Sequence, residues 1–248
     1  MKMKLFIPAA FALTLILSGC SKALYKKGVK NYEKNAYSKS IENFEKYLLK
    51  NDGPADAKIK LANAYRLTND IPNAEKWFSQ IVLLPESEPI NMFYYAKLLM
   101  TQEKYNEAKV WFTKYLDKVP DDFVAEMLLV SCKSVNTLKQ DPSLYTIKEA
   151  EIPEIATAFG QTPYGKGIMF TADKVTFDNS NTSGWTGRSY VDIYFSAKDA
   201  SGKWMSPMLL KGDVNGRYHE GPACFSKDGK VVYFTRSNYI KRKRLYHS

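Results

Sequence analysis

Residues 55–88 read ADAKIKLANAYRLTNDIPNAEKWFSQIVLLPESE, and the same pattern recurs 34 residues earlier and 34 residues later. With repeats starting at Ser21, Ala55 and Pro89, small residues occupy the eighth and twentieth positions, and phenylalanine occupies the twenty-fourth. These residues are Gly28, Ala62 and Ala96, then Ser40, Ala74 and Ala108, then Phe44, Phe78 and Phe112. Small side chains let two antiparallel helices approach closely, and bulky ones fill the space towards the next pair. The stretch therefore predicts three stacked helical hairpins.

The segments between these helices follow the same spacing. Asn35, Asn69 and Glu103 fall where the turn inside each hairpin is expected. A further helix, at about 123–139, is expected to cap the open end of the stack, since a stack of repeats needs a terminal element. It carries Phe123, Met127, Val130 and Ser134.

The period and the pattern of small and large residues resemble the tetratricopeptide repeat (TPR). The resemblance covers the chain from Ser21 to about Asp122, although the usual tryptophan at the fourth position is replaced by Leu24, Lys58 and Met92. It implies a helical solenoid that binds peptides or protein segments on a concave face, formed by the first helix of each pair. The residues expected on that face are Tyr25, Tyr32, Ile59, Asn63, Arg66, Phe93, Lys97 and Met100.

Two alternatives bear on this face. Its aromatic residues could instead serve packing within the chain. Some TPR proteins grip a C-terminal carboxylate with a lysine and an asparagine one helical turn apart. Here Asn63 is present but Ile59 stands at the partner position, so the sequence does not support that clamp.

Beyond Gln140 the helical period gives way to alternation typical of strands. Val191, Ile193 and Phe195 would share one face of a strand. Residues 221–235 read as strand, tight turn, strand, with Asp228-Gly229 favouring the turn. Residues 162–171 form an earlier copy, and a further strand is expected to begin near Trp204.

This order resembles a blade of the WD-repeat-like, TolB-type β-propellers, most specifically in Phe225-Ser226-Lys227-Asp228-Gly229. One blade would span about Ile155–Lys211, followed by half of a second. The predicted fold class is α+β multidomain: a TPR α-solenoid followed by an incomplete all-β propeller-like domain. Because propellers typically close with 4–8 blades, we expect an N-terminal portion of a longer protein. Alternatively, the half-propeller pairs with another chain.

The N-terminus reads as a lipoprotein signal. Lys2 and Lys4 precede an apolar run, and Leu17-Ser18-Gly19-Cys20 matches a bacterial lipobox. The lipobox implies cleavage before Cys20 and lipidation of its sulfur. An ordinary secretory signal with a chance cysteine is the alternative, while the apolar run is shorter than the roughly 20 residues that cross a bilayer. The predicted segments are a signal peptide (1–19), the repeats with their capping helix (20–140), a linker (141–154) and the partial propeller (155–248).

The net charge bears on the possible binding partners, and the cysteines bear on possible disulfide bonds. The formal net charge of +10 suits anionic partners such as lipid headgroups or cell-wall polymers. Nucleic acid is not expected as a partner of an exported lipoprotein, and the basic cluster 241–244 could be only a solvated tail. Cys132 and Cys224 are expected to be small buried residues, with a disulfide between them as the alternative.

Catalytic motifs are not apparent in the sequence. Only two histidines occur, His219 and His247, and neither accompanies a nucleophile motif. Residues 178–184 are rich in oxygen ligands but lack the offsets of a calcium loop. We therefore expect a non-enzyme without a metal or cofactor.

Lipobox, TPR stack and propeller in that order resemble the N-terminal portion of PorE-like envelope lipoproteins of the Bacteroidota, a family that ends in an OmpA-like domain. The resemblance implies a lipid-anchored scaffold in an outer-membrane assembly, that of type IX secretion or gliding. Ser21 after Cys20 favours the outer membrane, and the family suggests its periplasmic face. Peptidoglycan would be bound only through a C-terminal domain not present here. The alternative is a lipoprotein that reads envelope glycans or substrates with its propeller.

Overall fold

The computed structural model describes residues 9–49, 52–138, 146–174 and 182–237, and for residues 9–20 it gives the backbone alone. Within these residues the chain divides into two compact units. The first contains the helices together with Gly184–Gly187, and the second contains the strands. The predicted Asp178–Gly184 loop lies largely outside the described residues.

The described residues of the first unit form seven helices, and successive helices pack against each other along the chain. Three antiparallel pairs are followed by a single helix, which is the arrangement of a TPR-type solenoid. The helices are α1 (Ala9–Glu33), α2 (Tyr37–Leu48), α3 (Ala55–Leu67), α4 (Ile71–Ile81), α5 (Pro89–Thr101), α6 (Tyr105–Leu116) and α7 (Phe123–Leu138).

The turns inside the three pairs have the same backbone geometry. Asn35, Asn69 and Glu103 each adopt a positive φ, of 56°, 62° and 58°. In each turn the next residue's N–H donates to the carbonyl five residues before it, at 2.9 Å. A left-handed residue followed by this hydrogen bond is the Schellman ending of a helix. The predicted 34-residue repeat is therefore confirmed at the level of backbone dihedral angles.

The core of the helical unit also follows the repeat. Phe44, Phe78 and Phe112 are completely buried, as are the alanines at the small positions. At Gly28 a β-carbon would lie only 2.8 Å from the Phe44 ring, so only glycine allows this approach of α1 to α2. Ser40 closes the same contact by donating its hydroxyl to the Gly28 carbonyl at 3.0 Å. The predicted packing role of these positions is confirmed.

The last helix, α7, begins at a side-chain cap. Asp122 accepts hydrogen bonds from the Ala125 N–H at 3.0 Å and from the Tyr115 hydroxyl at 2.7 Å. Ala125 and Cys132 are buried in the repeat core. Phe123, Met127 and Val130 point away from it, so this helix caps the stack with its other face.

The second unit contains a four-stranded antiparallel sheet whose strands follow chain order. Its strands are β1 (Ile155–Tyr164), β2 (Gly167–Lys174), β3 (Asp192–Ala197) and β4 (Met208–Leu209). The expected strand near Trp204 begins later, because Trp204 makes only an isolated bridge to Lys198 before β4. Ile193 and Phe195 share one face of β3 as predicted, with Val191 just before the strand, and the opposite face is buried as well, at Tyr194 and Ser196.

A separate hairpin of β5 (Glu220–Phe225) and β6 (Val232–Arg236) packs against this sheet. Met169, Ile193 and Ala223 form the core between them. Gly229 adopts φ +70°, and Asp228 accepts from the Lys230 N–H at 3.2 Å, which confirms the predicted turn. One antiparallel sheet and one hairpin are shown; a propeller remains a prediction.

Two further sequence expectations concern single features. Cys132 and Cys224 are both free thiols; Cys132 is buried as predicted, whereas Cys224 is exposed because it lies on the outer face of β5. Among the described residues, no helix has the length and apolar character needed to cross a membrane.

Candidate functional site

The residues predicted for peptide binding lie on α1, α3 and α5, the first helices of the three pairs. We call the surface formed by Tyr32, Arg66, Tyr94, Lys97 and Met100 the first-helix face. Lys97 is exposed, and the other four residues are partly exposed. These side chains are therefore available to a ligand.

Four of the predicted residues serve packing instead. Tyr25 donates its hydroxyl to Asp56 at 2.8 Å, which is the main reason that the pKa of Tyr25 is raised, and its ring contacts Phe44. Ile59 packs against the core, and only 9% of Asn63 and 9% of Phe93 is exposed. The alternative of packing within the chain thus describes these residues better.

Arg66 is the most constrained residue of the first-helix face. Its Nε and one terminal nitrogen both donate to the side-chain oxygen of Asn63, at 3.2 and 2.9 Å. Its guanidinium carbon lies 3.9 Å from the centre of the Tyr94 ring. Stacking on an aromatic ring and a two-pronged hydrogen bond together fix the plane of the guanidinium group.

Tyr94 was not predicted as part of the site. It occupies the sixth position of its repeat, and Arg66 occupies the twelfth position of the repeat before. In the sequence the two residues are 28 positions apart. They come into contact only when the first helices of adjacent repeats lie side by side, so no local pattern indicates the pair. The Phe78 ring packs edge to face against the Tyr94 ring, with 6.1 Å between the two ring centres.

A second cation lies on the same helix as Tyr94. The Lys97 ammonium is 5.6 Å from the centre of the Phe93 ring, and Phe93 in turn packs on Tyr115. On α1, burial is the largest factor that raises the pKa of Tyr32, followed by the nearby Tyr37, so Tyr32 stays a neutral donor near neutral pH. The first-helix face therefore carries two cations and phenolic hydroxyls.

The second unit holds a different polar cluster. Glu220 is completely buried, and Arg236 donates to it through Nε at 3.0 Å. The His219 ring accepts the Val191 N–H on Nδ1 at 3.1 Å, and burial lowers its pKa, so it is neutral near pH 7. These contacts tie strands and loops of the second unit together.

Metal binding has no support in the described part of the chain, where no group of three or more histidine, cysteine, aspartate or glutamate residues could hold an ion. Cys20, the predicted lipidation site, lies within helix α1. Its side chain is outside the description.

Comparison with known proteins gives only structural matches. No protein-family model and no curated protein sequence matches the chain. The TPR domain of Arabidopsis OM64 is similar over 46% of this chain and 94% of its own, with 17% identity and a TM-score of 0.40.

Two further solved structures are similar over about half of the chain. The first TPR of Spaghetti (RPAP3), bound to the HSP90 peptide SRMEEVD, matches over 48% of this chain and 95% of its own, with 21% identity and a TM-score of 0.41. PcrH from Pseudomonas aeruginosa matches over 48% and 89%, with 15% identity and a TM-score of 0.36. The assignment of a TPR-type solenoid rests on the repeat geometry described above.

Proposed function

We propose that this protein is a non-enzymatic scaffold whose first-helix face binds an extended, acidic segment of a partner protein. The observation that carries the proposal is the fixed orientation of Arg66 between Asn63 and Tyr94. An arginine held in one plane recognises a carboxylate through two parallel hydrogen bonds at a low cost in side-chain entropy.

The chemistry of the face fits an acidic ligand. A guanidinium group has five N–H donors, and among the described residues Asn63 takes two of those of Arg66. Arg66 is partly exposed, and the first-helix face also carries the exposed Lys97 ammonium. A segment with two carboxylates would satisfy both cations, and Tyr32 and Met100 offer contact area for its other side chains.

The test identifies the partner segment before measuring its affinity. A photo-reactive amino acid placed at Met100 of the full chain captures the ligand in cells, and mass spectrometry of the product gives the segment. A synthetic peptide of that sequence is then titrated by fluorescence anisotropy. We expect Arg66→Ala to weaken binding by about tenfold to a hundredfold, as the loss of a charge-assisted hydrogen-bonded contact does.

Matched variants make this result specific. Lys76→Ala removes an exposed cation from α4, a second helix, and should leave the affinity unchanged. Arg66→Lys should retain only part of the affinity, because lysine lacks the planar fork. A captured segment without acidic residues, or equal losses for Arg66→Ala and Lys76→Ala, contradicts the proposal. Retention of envelope glycan without any protein would favour the alternative of a glycan-binding lipoprotein.

We further propose that the scaffold is attached to the outer membrane through lipid on Cys20, on its periplasmic face, as part of a secretion or gliding assembly. The lipobox supports the anchor, and the order of lipobox, helical repeats and antiparallel strands supports the PorE-like assignment. In that proposal the four-stranded sheet is one propeller blade, and the β5–β6 hairpin is half of the next.

The anchor is tested by replacing the acylated sulfur. In a bacterium fed labelled palmitate, the wild-type chain should carry label and move to the membrane fraction. Cys20→Ala should lose both, while Cys132→Ala, which removes a buried thiol, should keep them. Label that persists in Cys20→Ala would refute lipidation at this residue.

A further inference from the structure

Helix α7 is apolar on two opposite faces. One face packs into the repeat core through Ala125, Leu128, Leu129 and Cys132. The opposite face carries what we call the outer stripe: Phe123, Met127, Val130 and Ser134. The exposed fractions of its apolar members are 69% for Phe123, 54% for Met127 and 53% for Val130. A helix that is apolar all round is normally buried on all sides.

The outer stripe corresponds to a covered surface elsewhere in the unit. Val130 occupies the repeat position of Gly28, Ala62 and Ala96, and at Gly28 this position contacts Phe44 on the second helix of the same pair. Those three residues are buried. No described helix follows α7 to cover Val130 in the same way, so the stripe has the shape of a surface for an antiparallel helix.

We propose that the outer stripe binds the outer stripe of a second copy of this chain, with the two α7 helices antiparallel about a two-fold axis. The stripe is symmetric around a point between Leu128 and Leu129. An axis at that point places Met127 against Val130 of the second copy, and the reverse contact forms as well. Both helices thus bury the same apolar residues.

Charge complementarity selects this partner and this direction. Glu126 and Lys133 are exposed, and seven residues separate them, so they lie on the same flank of α7. In a two-fold antiparallel pair, a given flank of one α7 helix lies beside the same flank of the other α7 helix, which runs in the opposite direction. Glu126 then lies about 3 Å along the axis from Lys133 of the second copy, at a rise of 1.5 Å per residue. Two intermolecular ion pairs result, whereas in a two-fold parallel pair this flank would face the opposite flank of the partner, which carries Val124 and Ser131, and no such ion pair would form.

The complex should be weak and concentration-dependent. One helix face per chain is smaller than the roughly 800 Å² per partner of standard interfaces. We therefore expect a dissociation constant in the micromolar range, which is relevant for chains concentrated on a shared surface.

The test is a charge-exchange experiment on the full chain, followed by analytical ultracentrifugation in one fixed non-ionic detergent. The wild-type chain should show a monomer–dimer equilibrium. Glu126→Lys and Lys133→Glu should each weaken it by about tenfold or more, because each places two pairs of like charges together. A mixture of the two variants should restore dimerisation, since every Glu126–Lys133 contact regains opposite charges.

An apolar variant and its control complete the design. Met127→Asp should abolish the dimer, and Leu83→Asp, at a position with 75% exposure away from α7, should not change it. A chain that stays monomeric up to about 100 µM, with the stripe left for another partner, overturns the proposal. So does a dimer that Met127→Asp leaves intact, or one that the mixture of charge variants fails to restore.

Discussion

Replacing Leu61 by alanine should lower the free energy of unfolding of the helical unit by about 2–5 kcal/mol. Leu61 lies on α3 in the central repeat and is completely buried in the core that all three pairs share. Alanine would leave a cavity that the surrounding core side chains cannot fill without leaving their own contacts. Urea unfolding of the full chain, followed by helical circular dichroism, measures the change.

The control for this prediction is the same substitution at the surface. Leu83, just after α4, is 75% exposed, so Leu83→Ala should change the free energy of unfolding by no more than about 0.5 kcal/mol. Because the repeats couple through their neighbours, a loss in the central pair should also weaken the outer pairs. Similar effects of Leu61→Ala and Leu83→Ala would mean that the helical unit is not packed as described.

The helical unit was largely predictable because its determinants are local and recur three times. Asn35, Asn69 and Glu103 mark turns whose hydrogen bonds close within six residues. Phe78 and its counterparts fill the same space in every pair, so each repeat supports the interpretation of the others. Local geometry of this kind is present in the sequence before any long-range contact forms.

The site was less predictable because its contacts depend on the packing of adjacent repeats. The pairing of Arg66 with Tyr94 requires the relative rotation of α3 and α5, which no single repeat encodes. For the same reason, the position of Tyr25 and Phe93 in the repeat could not show whether they pack within the chain or contact a ligand. The register predicted which helices contribute to the face, but not which side chains remain available.

In the second unit, the alternation of apolar and polar residues predicted burial less reliably. The pattern around Ile193 predicted which side chains share a face of β3, but not how each face is covered. The hairpin covers the side of Ile193, and side chains around Phe170 and Tyr194 bury the other. Cys224 has the reverse outcome: its short apolar run suggests burial, yet its side chain lies on the open face of β5. In both cases burial depends on which sheet face receives the next element, and that is a long-range property.

Replacing Arg236 by alanine should destabilise the second unit by about 3–5 kcal/mol, because it leaves a buried charge without its partner. Glu220 is completely buried, and within the described residues one of its carboxylate oxygens already lacks a hydrogen bond. The Arg236 Nε serves the other oxygen at 3.0 Å. Arg236 also donates to the Val214 carbonyl at 2.7 Å, so it joins β6 to the loop before β5. Thermal unfolding of the strand unit, followed by near-ultraviolet circular dichroism, measures the loss.

A double variant separates the buried charge from the other roles of Arg236. If the uncompensated carboxylate causes most of the loss, Glu220→Met combined with Arg236→Met should recover more than half of it, since removing both partners of a buried pair is far less costly than removing one. The part that is not recovered then measures the hydrogen bonds to the loop carbonyls. A double variant as unstable as Arg236→Ala would assign the whole effect to those carbonyl bonds. In that case Glu220 would be a tolerated buried residue and not the group that holds Arg236 in place.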